Sequence, residues 1–247
     1  MPRREANLET VIQQFISQLQ KLYGEELLSV TLFGSAAGVD YAPERSDLNF
    51  LVVLQHLDAD RLQRAFRFLK EWRQRQLATP LLFEAGQLEP TARLFPLEFL
   101  EMQDQHETLY GPDPLAPLAV PPQHLKLQCE QELRAKGLRL YTAYLESQGQ
   151  PAALEQLLIA SVKSFGVIMR ALLRLKQLPA PREFLEILSE TERIFQIELE
   201  GFREAHQLRM GFRRLDAAEA EALFRHFAGN VKVLTRKAEA IFGGDAP

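Results

Sequence analysis

A single cysteine, Cys129, in 247 residues excludes an internal disulfide and suits a reducing, cytoplasmic setting. Histidine is nearly as sparse. His56, His106, His124, His206 and His226 are scattered, and none pairs at the i, i+4 spacing of a helical zinc site. No Gly-Lys-Ser/Thr follows a glycine at the interval of a P-loop. No uninterrupted apolar run approaches the length of a bilayer span, and Met1-Pro2-Arg3-Arg4 leads into a polar segment, which speaks against secretion and a membrane partner. An excess of positive charge is missing too. Lys and Arg number 29 against 33 Asp and Glu, a formal net charge of −4, which argues against broad nucleic-acid binding.

What is present is an ordinary globular composition, 46% hydrophobic and 25% charged, in a chain long enough for two modest domains. Val11, Ile12, Phe15, Ile16, Leu19 and Leu22 recur at helical spacing, with Gly24 as a stop. Leu27 to Phe33 reads as a strand, Ala36 to Ser46 as a loop broken by Gly38 and Pro43, and Leu48 to Leu54 as a strand covered on both faces. Asp58 to Gln76 returns to helical periodicity, and Pro80 to Phe83 reads as a further short strand. Phe95 to Met102 is expected to be a strand, followed by a short polar helix and a turn at Gly111-Pro112. The proline-rich stretch from Pro112 to Pro122 is the expected linker. Beyond it, Gln123 to Ser147, Pro151 to Leu178, Pro181 to Glu200 and Asp216 to Phe242 predict antiparallel helices. The expected domains are residues 1–115 and 120–247, and the fold class is α+β: a mixed sheet with helices, then an all-α bundle.

Chemistry concentrates where the first two strands meet. Leu32-Phe33-Gly34-Ser35 ends one strand in a Gly-Ser turn, and Arg45-Ser46-Asp47-Leu48-Asn49 opens the next. Alternation along a strand puts Asp47 and Asn49 on one face and Leu48 and Phe50 on the other.

This pattern resembles the nucleotidyltransferase superfamily of DNA polymerase β and kanamycin nucleotidyltransferase. Its members carry a Gly-Ser turn after the first strand, an Asp-x-Asp pair at the start of the next and a third acid on a neighbouring strand. The resemblance rests on Gly34, Ser35, Asp47 and position 49, over roughly the first 110 residues. It implies transfer of a nucleoside monophosphate from a nucleoside triphosphate to a hydroxyl of a small molecule or protein, with Mg2+ held by Asp47 and Glu98. Asp47, Asn49 and Glu98 are then the catalytic positions, and Gly34, Ser35, Arg45, Ser46 and Lys163 the nucleotide-binding ones. A second copy of the chain is a further candidate partner. Glu101 competes with Glu98, because on a strand their odd offset sends them to opposite faces.

The departure lies at Asn49, where the family has its second Asp. Magnesium prefers charged oxygen ligands. An amide offers one neutral carbonyl oxygen and a nitrogen that cannot ligate a cation, so bridging of two ions through position 49 is lost. The expectation is a weakened metal site. The alternative is an inactive nucleotide-binding or protein-interaction module of the same fold. Several candidates also have plain structural readings. Asp47 can cap a loop, Glu98 can face solvent, Lys163 can snorkel from an apolar helix, and Glu130 and Glu132, candidate general bases, can belong to an acidic helix surface.

Overall fold

The structure, a computed structural model, describes residues 6–37, 48–75, 77–211 and 215–243. It divides the chain into two compact units, Met1–Val120 and Pro121–Pro247.

The first unit is built on a four-stranded mixed sheet. Its strands are β1 (Leu27–Phe33), β2 (Asn49–Leu54), β3 (Leu81–Glu84) and β4 (His106–Tyr110), in the order β3-β2-β1-β4. β1 runs antiparallel to β2 and β4, whereas β3 is parallel to β2. Alternation sorts the side chains into two cores. Val30, Leu32, Phe50, Val52 and Leu54 pack with Ile12, Phe15, Ile16 and Leu19 of α1 (Ala6–Tyr23) and Ala65 and Trp72 of α2 (Ala59–Gln74). Leu51 and Val53 pack on the other face with Leu88 and Ala92 of α3 (Leu88–Leu94) and Phe99 and Met102 of α4 (Pro96–Asp104). Helices thus cover both faces, which is why β2 is apolar from Phe50 to Leu54.

Polar groups fix the helices on the first face. The Trp72 indole N–H donates to Gln18 Oε1 at 2.7 Å, while its ring meets Phe15 edge-on with centroids 4.9 Å apart. Asp58 caps α2 by accepting the Arg61 N–H at 2.9 Å. The Arg61 guanidinium bridges Glu26 and Asp58, and its hydrogen bond holds the Glu26 carboxyl below the usual carboxylate range. This ionic group sits where β1 begins and β2 ends, opposite the Gly34 end of the sheet.

The second unit is all helical: α5 (Pro122–Ser147), α6 (Pro151–Leu175), α7 (Phe184–Phe195), α8 (Glu200–Arg209) and α9 (Ala217–Phe242). Pro122 and Pro151 occupy first-turn positions that lack a helical acceptor. α6 is central, with Leu154, Leu158, Val162, Phe165, Ile168, Met169 and Leu172 buried. It is long and apolar enough to cross a membrane, yet 56% of that stretch is buried within the bundle. Phe165, Phe202 and Phe227 form a ring cluster with centroids 4.3 to 5.9 Å apart.

The helix expected over Pro181–Glu200 is the shorter α7, and α8 follows in a stretch where no helix is expected. Gln196 takes a left-handed conformation with φ 52° at the end of α7, and the chain restarts as α8 after the buried Leu199. Arg170 holds the stretch before α7 through the carbonyls of Pro181 and Arg182. α8 and α9 touch almost backbone to backbone. A Cβ at Gly201 would lie 2.8 Å from both Asn230 Oδ1 and the Phe227 nitrogen. Asn230 pegs the crossing by accepting the Gly201 N–H at 2.8 Å and donating to the Glu198 carbonyl at 3.2 Å.

Candidate functional site

Gly34 ends β1 with φ +78°, a conformation that glycine adopts without steric cost, and opens a 3-10 turn over Gly34–Ala37. The Asn49 side chain lies beside it. Its Nδ2 is 3.7 Å from where a Cβ on Gly34 would sit. The amide of position 49 therefore faces the Gly-Ser turn, as strand alternation predicts. Arg45, Ser46 and Asp47 lie outside the described residues.

Cross-strand pairing fixes what shares this face. Phe33 pairs with Asn49 on one side and His106 on the other, whereas Leu32 pairs with Phe50 and Glu107. Paired residues project to the same side of a sheet. Asn49, Phe33 and His106 thus form one row on the α3/α4 side, and Glu107 belongs to the α1/α2 side. Glu84 pairs with Leu54 at the opposite end of β2, on the α1/α2 side, and accepts the Leu57 N–H at 3.2 Å. Among the described residues, neither strand acid shares the face of Asn49.

The strand expected to bear Glu98 is a helix. Pro96 sits in the first turn of α4, and Leu97, Phe99 and Met102 are buried on it. The alternation of Phe95, Leu97 and Phe99 imitates a strand, but the core is met with helical geometry at Phe99 and Met102. The face argument separating Glu98 from Glu101 fails with it, because residues three apart on a helix are neighbours. Glu98 is exposed in the first turn of α4, roughly 10 Å along the axis from Gln105 at 1.5 Å per residue.

Gln105 marks the part of α4 that approaches the turn. Its carbonyl accepts the Gly34 N–H at 2.8 Å, so that amide is already committed and the turn cannot offer it to a phosphate. The junction behind Gln105 is held by His106, whose Nδ1 lies 3.0 Å from the Gln103 carbonyl and whose Nε2 lies 3.0 Å from Asp113 Oδ2. Asp113 Oδ1 accepts the N–H groups of Leu115 and Ala116 at 2.9 and 3.2 Å. Burial pushes the Asp113 carboxyl up, but the hydrogen bonds from His106, Leu115 and Ala116 outweigh it and hold it below its ordinary value. Sequence reasoning missed Gln105 and the His106–Asp113 pair. The first acts through its backbone and leaves no side-chain signal. The second is visible only once β4 is placed beside β1.

A two-magnesium centre needs several hard, charged oxygens around shared ion positions. Among the described residues, Asn49 supplies one neutral carbonyl oxygen, both strand acids point elsewhere, and no group of three His, Cys, Asp or Glu could hold a metal ion. The described residues do not by themselves make such a centre, and Asp47, one of the two expected ligands, lies outside them. In the helical unit Lys163 is exposed on α6. Glu130 and Glu132 form surface ion pairs with Arg134 and Lys136 at 2.9 and 3.0 Å.

No family model matches the sequence, and no curated protein does. Solved structures do match. Spectinomycin adenyltransferase AAD(9) from Enterococcus faecialis, solved with ATP and spectinomycin, is similar over 92% of this chain and 98% of its own. The TM-score is 0.57 at 11% sequence identity. At that identity the likeness establishes the fold, so the mixed sheet and helical region of this chain share the architecture of a nucleotidyltransferase-fold enzyme.

Proposed function

We propose that this protein is a nucleotidyltransferase-like nucleoside-triphosphate binder in which transfer of a nucleoside monophosphate to a hydroxyl is weak or lost. The observation that carries this reading is the neutral Asn49 side chain beside Gly34, on a face that neither Glu84 nor Glu107 shares. The triphosphate would meet the Ser35 hydroxyl and, from the adjoining loop, Arg45, Ser46 and Asp47. With Gly34 held by Gln105, binding in this reading rests on side chains of the loop rather than on a nest of amides. One carboxylate, Asp47, is left at the start of β2. It can engage a single cation together with the phosphate oxygens, and among the described residues no strand acid is placed to share a second ion.

A second reading, active transfer to a small-molecule hydroxyl, is favoured by the extent of the structural likeness. It spans the helical half as well as the sheet, and the neighbour was solved with a nucleotide and a small hydroxyl-bearing molecule.

Calorimetry with ATP, GTP, CTP and UTP, with and without Mg2+, tests both readings alongside a pyrophosphate-release assay in the presence of aminocyclitol acceptors. Binding of at least one nucleotide with little pyrophosphate release is the expected result. Absence of binding by all four in a folded sample overturns the proposal. Rapid Mg2+-dependent release establishes the second reading instead.

A further inference from the structure

A groove of about 610 Å³ between the start of α7 and α8 is lined by Glu183, Leu185, Arg203, His206, Gln207 and Met210. His206 is backed there by an aromatic stack. Its ring lies 4.8 Å from that of Phe184 at an interplanar angle of 19°, and a Cβ on Gly166 of α6 would come within 3.1 Å of the Phe184 ring. Phe184 thus joins the backbone of α6 to the imidazole of α8.

The imidazole carries a hydrogen-bond deficit. Its Nδ1 is buried and, among the described residues, meets no partner. A neutral ring can leave only a lone pair at that position and keep its hydrogen on Nε2, whereas an imidazolium carries N–H on both nitrogens and would bury an unmet donor at Nδ1. The stack therefore suits the neutral ring. Burial, aided by the charge of Arg209, holds His206 below the ordinary histidine value.

Neighbouring charges do not relieve this deficit. On α8, Arg209 repels a further positive charge, Arg203 is taken by Glu192 and Glu200 at 2.7 and 3.0 Å, and Glu204 by His226 of α9 at 3.1 Å. Glu183 lines the groove from the α7 side. From α6 come Gly166 and Arg170, the latter bonded to the carbonyls of Pro181 and Arg182.

We propose that the stack of Phe184 on His206 is a proton-operated latch for the first turn of α7. A protonated His206 leaves the stack for water, and the segment from Glu183 to Leu185 lifts from α6 and α8. Arg170 keeps Pro181 and Arg182 in place, so the hinge falls between Arg182 and Glu183. Opening widens the groove beside Leu185 and Met210, which are already 43% and 53% exposed. Closed, the latch binds this proton less well than when open, so closure is complete above the ordinary histidine pKa of ~6.5 and weakens as pH falls below it.

Hydrogen exchange at the Ile187 amide, which donates to the Glu183 carbonyl at 3.0 Å, reads the latch. After correction for intrinsic rates, its protection falls roughly tenfold between about pH 7.5 and about pH 5.5, a factor of ten per pH unit below ~6.5. The Lys176 amide, held by the Leu172 carbonyl at 3.2 Å, keeps its protection and reports that the fold is intact. His206→Phe keeps a ring on Phe184 but takes no proton, so Ile187 is equally protected at both pH values. His206→Gln gives up the stack and is less protected than wild type at the higher pH, again without pH dependence. Circular dichroism shows which variants are folded, and either one suffices. Unchanged Ile187 protection in the wild type, or a pH-dependent loss that survives in a folded variant, overturns the proposal.

Discussion

The backbone N–H of Gly34 donates to the carbonyl of Gln105 at 2.8 Å, tying the turn after β1 to the end of α4. A turn anchored in this way is placed by the helix as much as by its own strand. Gly34→Ala forces a non-glycine residue to φ +78°, although its methyl would meet Asn49 only at an ordinary 3.7 Å. The expected loss is about 1 kcal/mol of stability in urea titration, with a larger proportional loss of nucleotide affinity in calorimetry.

Asn49→Asp restores a charge beside the Gly34 turn with little change of volume. Mg2+ should bind more tightly in a direct titration, and in the metal-free protein one of the two neighbouring carboxyls should titrate at raised pH because like charges repel. Pyrophosphate release should rise little, since Glu84 and Glu107 lie on the other face of the sheet. Equal Mg2+ affinity in both proteins would show that position 49 does not face a cation.

Two glycines with nearly the same backbone angle should respond very differently to alanine. Gly111 has φ +73°, and a Cβ there would land on the Leu28 carbonyl. Gly149 has φ +72° with nothing within 4 Å. Gly149→Ala should cost about 1 kcal/mol, whereas Gly111→Ala should cost more than ~3 kcal/mol through backbone displacement. Thermal melts of the pair separate the two costs, and equal melting temperatures would contradict the close approach of β1 and the β4 exit.

Asp113 gives the first unit an acid-sensitive fastening. Its folded carboxyl titrates below the ordinary 3.8, so folding favours the charged form. The stabilisation is present above about pH 4 and is lost as pH falls through the folded value. The stability gap between wild type and Asp113→Asn should therefore be constant near neutrality and shrink below pH 4. A gap that widens in acid would reverse the sign.

Cys129 is fully buried, and burial, aided by the charge of Glu132, pushes its thiol up to about 12. The thiolate needed for attack is then scarce at neutral pH. Aromatic disulfide reagents should leave the folded protein unmodified and react stoichiometrically after guanidine unfolding. Fast modification of folded protein would show that α5 opens locally.

Much of the sheet is legible in sequence because its signals are local. Leu27–Phe33 is an apolar run between Gly24 and Gly34, and Asn49–Leu54 follows a broken loop, so β1 and β2 can be read directly. Phe95–Met102 could not be read by alternation. A strand and a short amphipathic helix both place Leu97 and Phe99 in apolar surroundings, and only Pro96, well suited to a helical first turn, argues for the helix. The helix expected to reach Glu200 runs past the true end of α7 at Phe195 because the break at Ile197–Leu199 contains neither glycine nor proline. At the candidate site, alternation correctly turns Asn49 towards Gly34. The face of Glu107 depends on the register between β4 and β1, a long-range pairing that no local pattern encodes.

The Gly201–Asn230 crossing constrains how the helical unit can move. Helices separated by a layer of interlocking side chains can slide by exchanging rotamers, the basis of shear motion. At Gly201 α8 and α9 have no such layer between them, and Asn230 is bonded at once to the start of α8 and to the carbonyl of Glu198. Sliding by even a fraction of a turn would break both bonds and drive backbone into backbone. This pair should therefore travel as one body, and any plasticity of the bundle must reside in helices held apart by side chains.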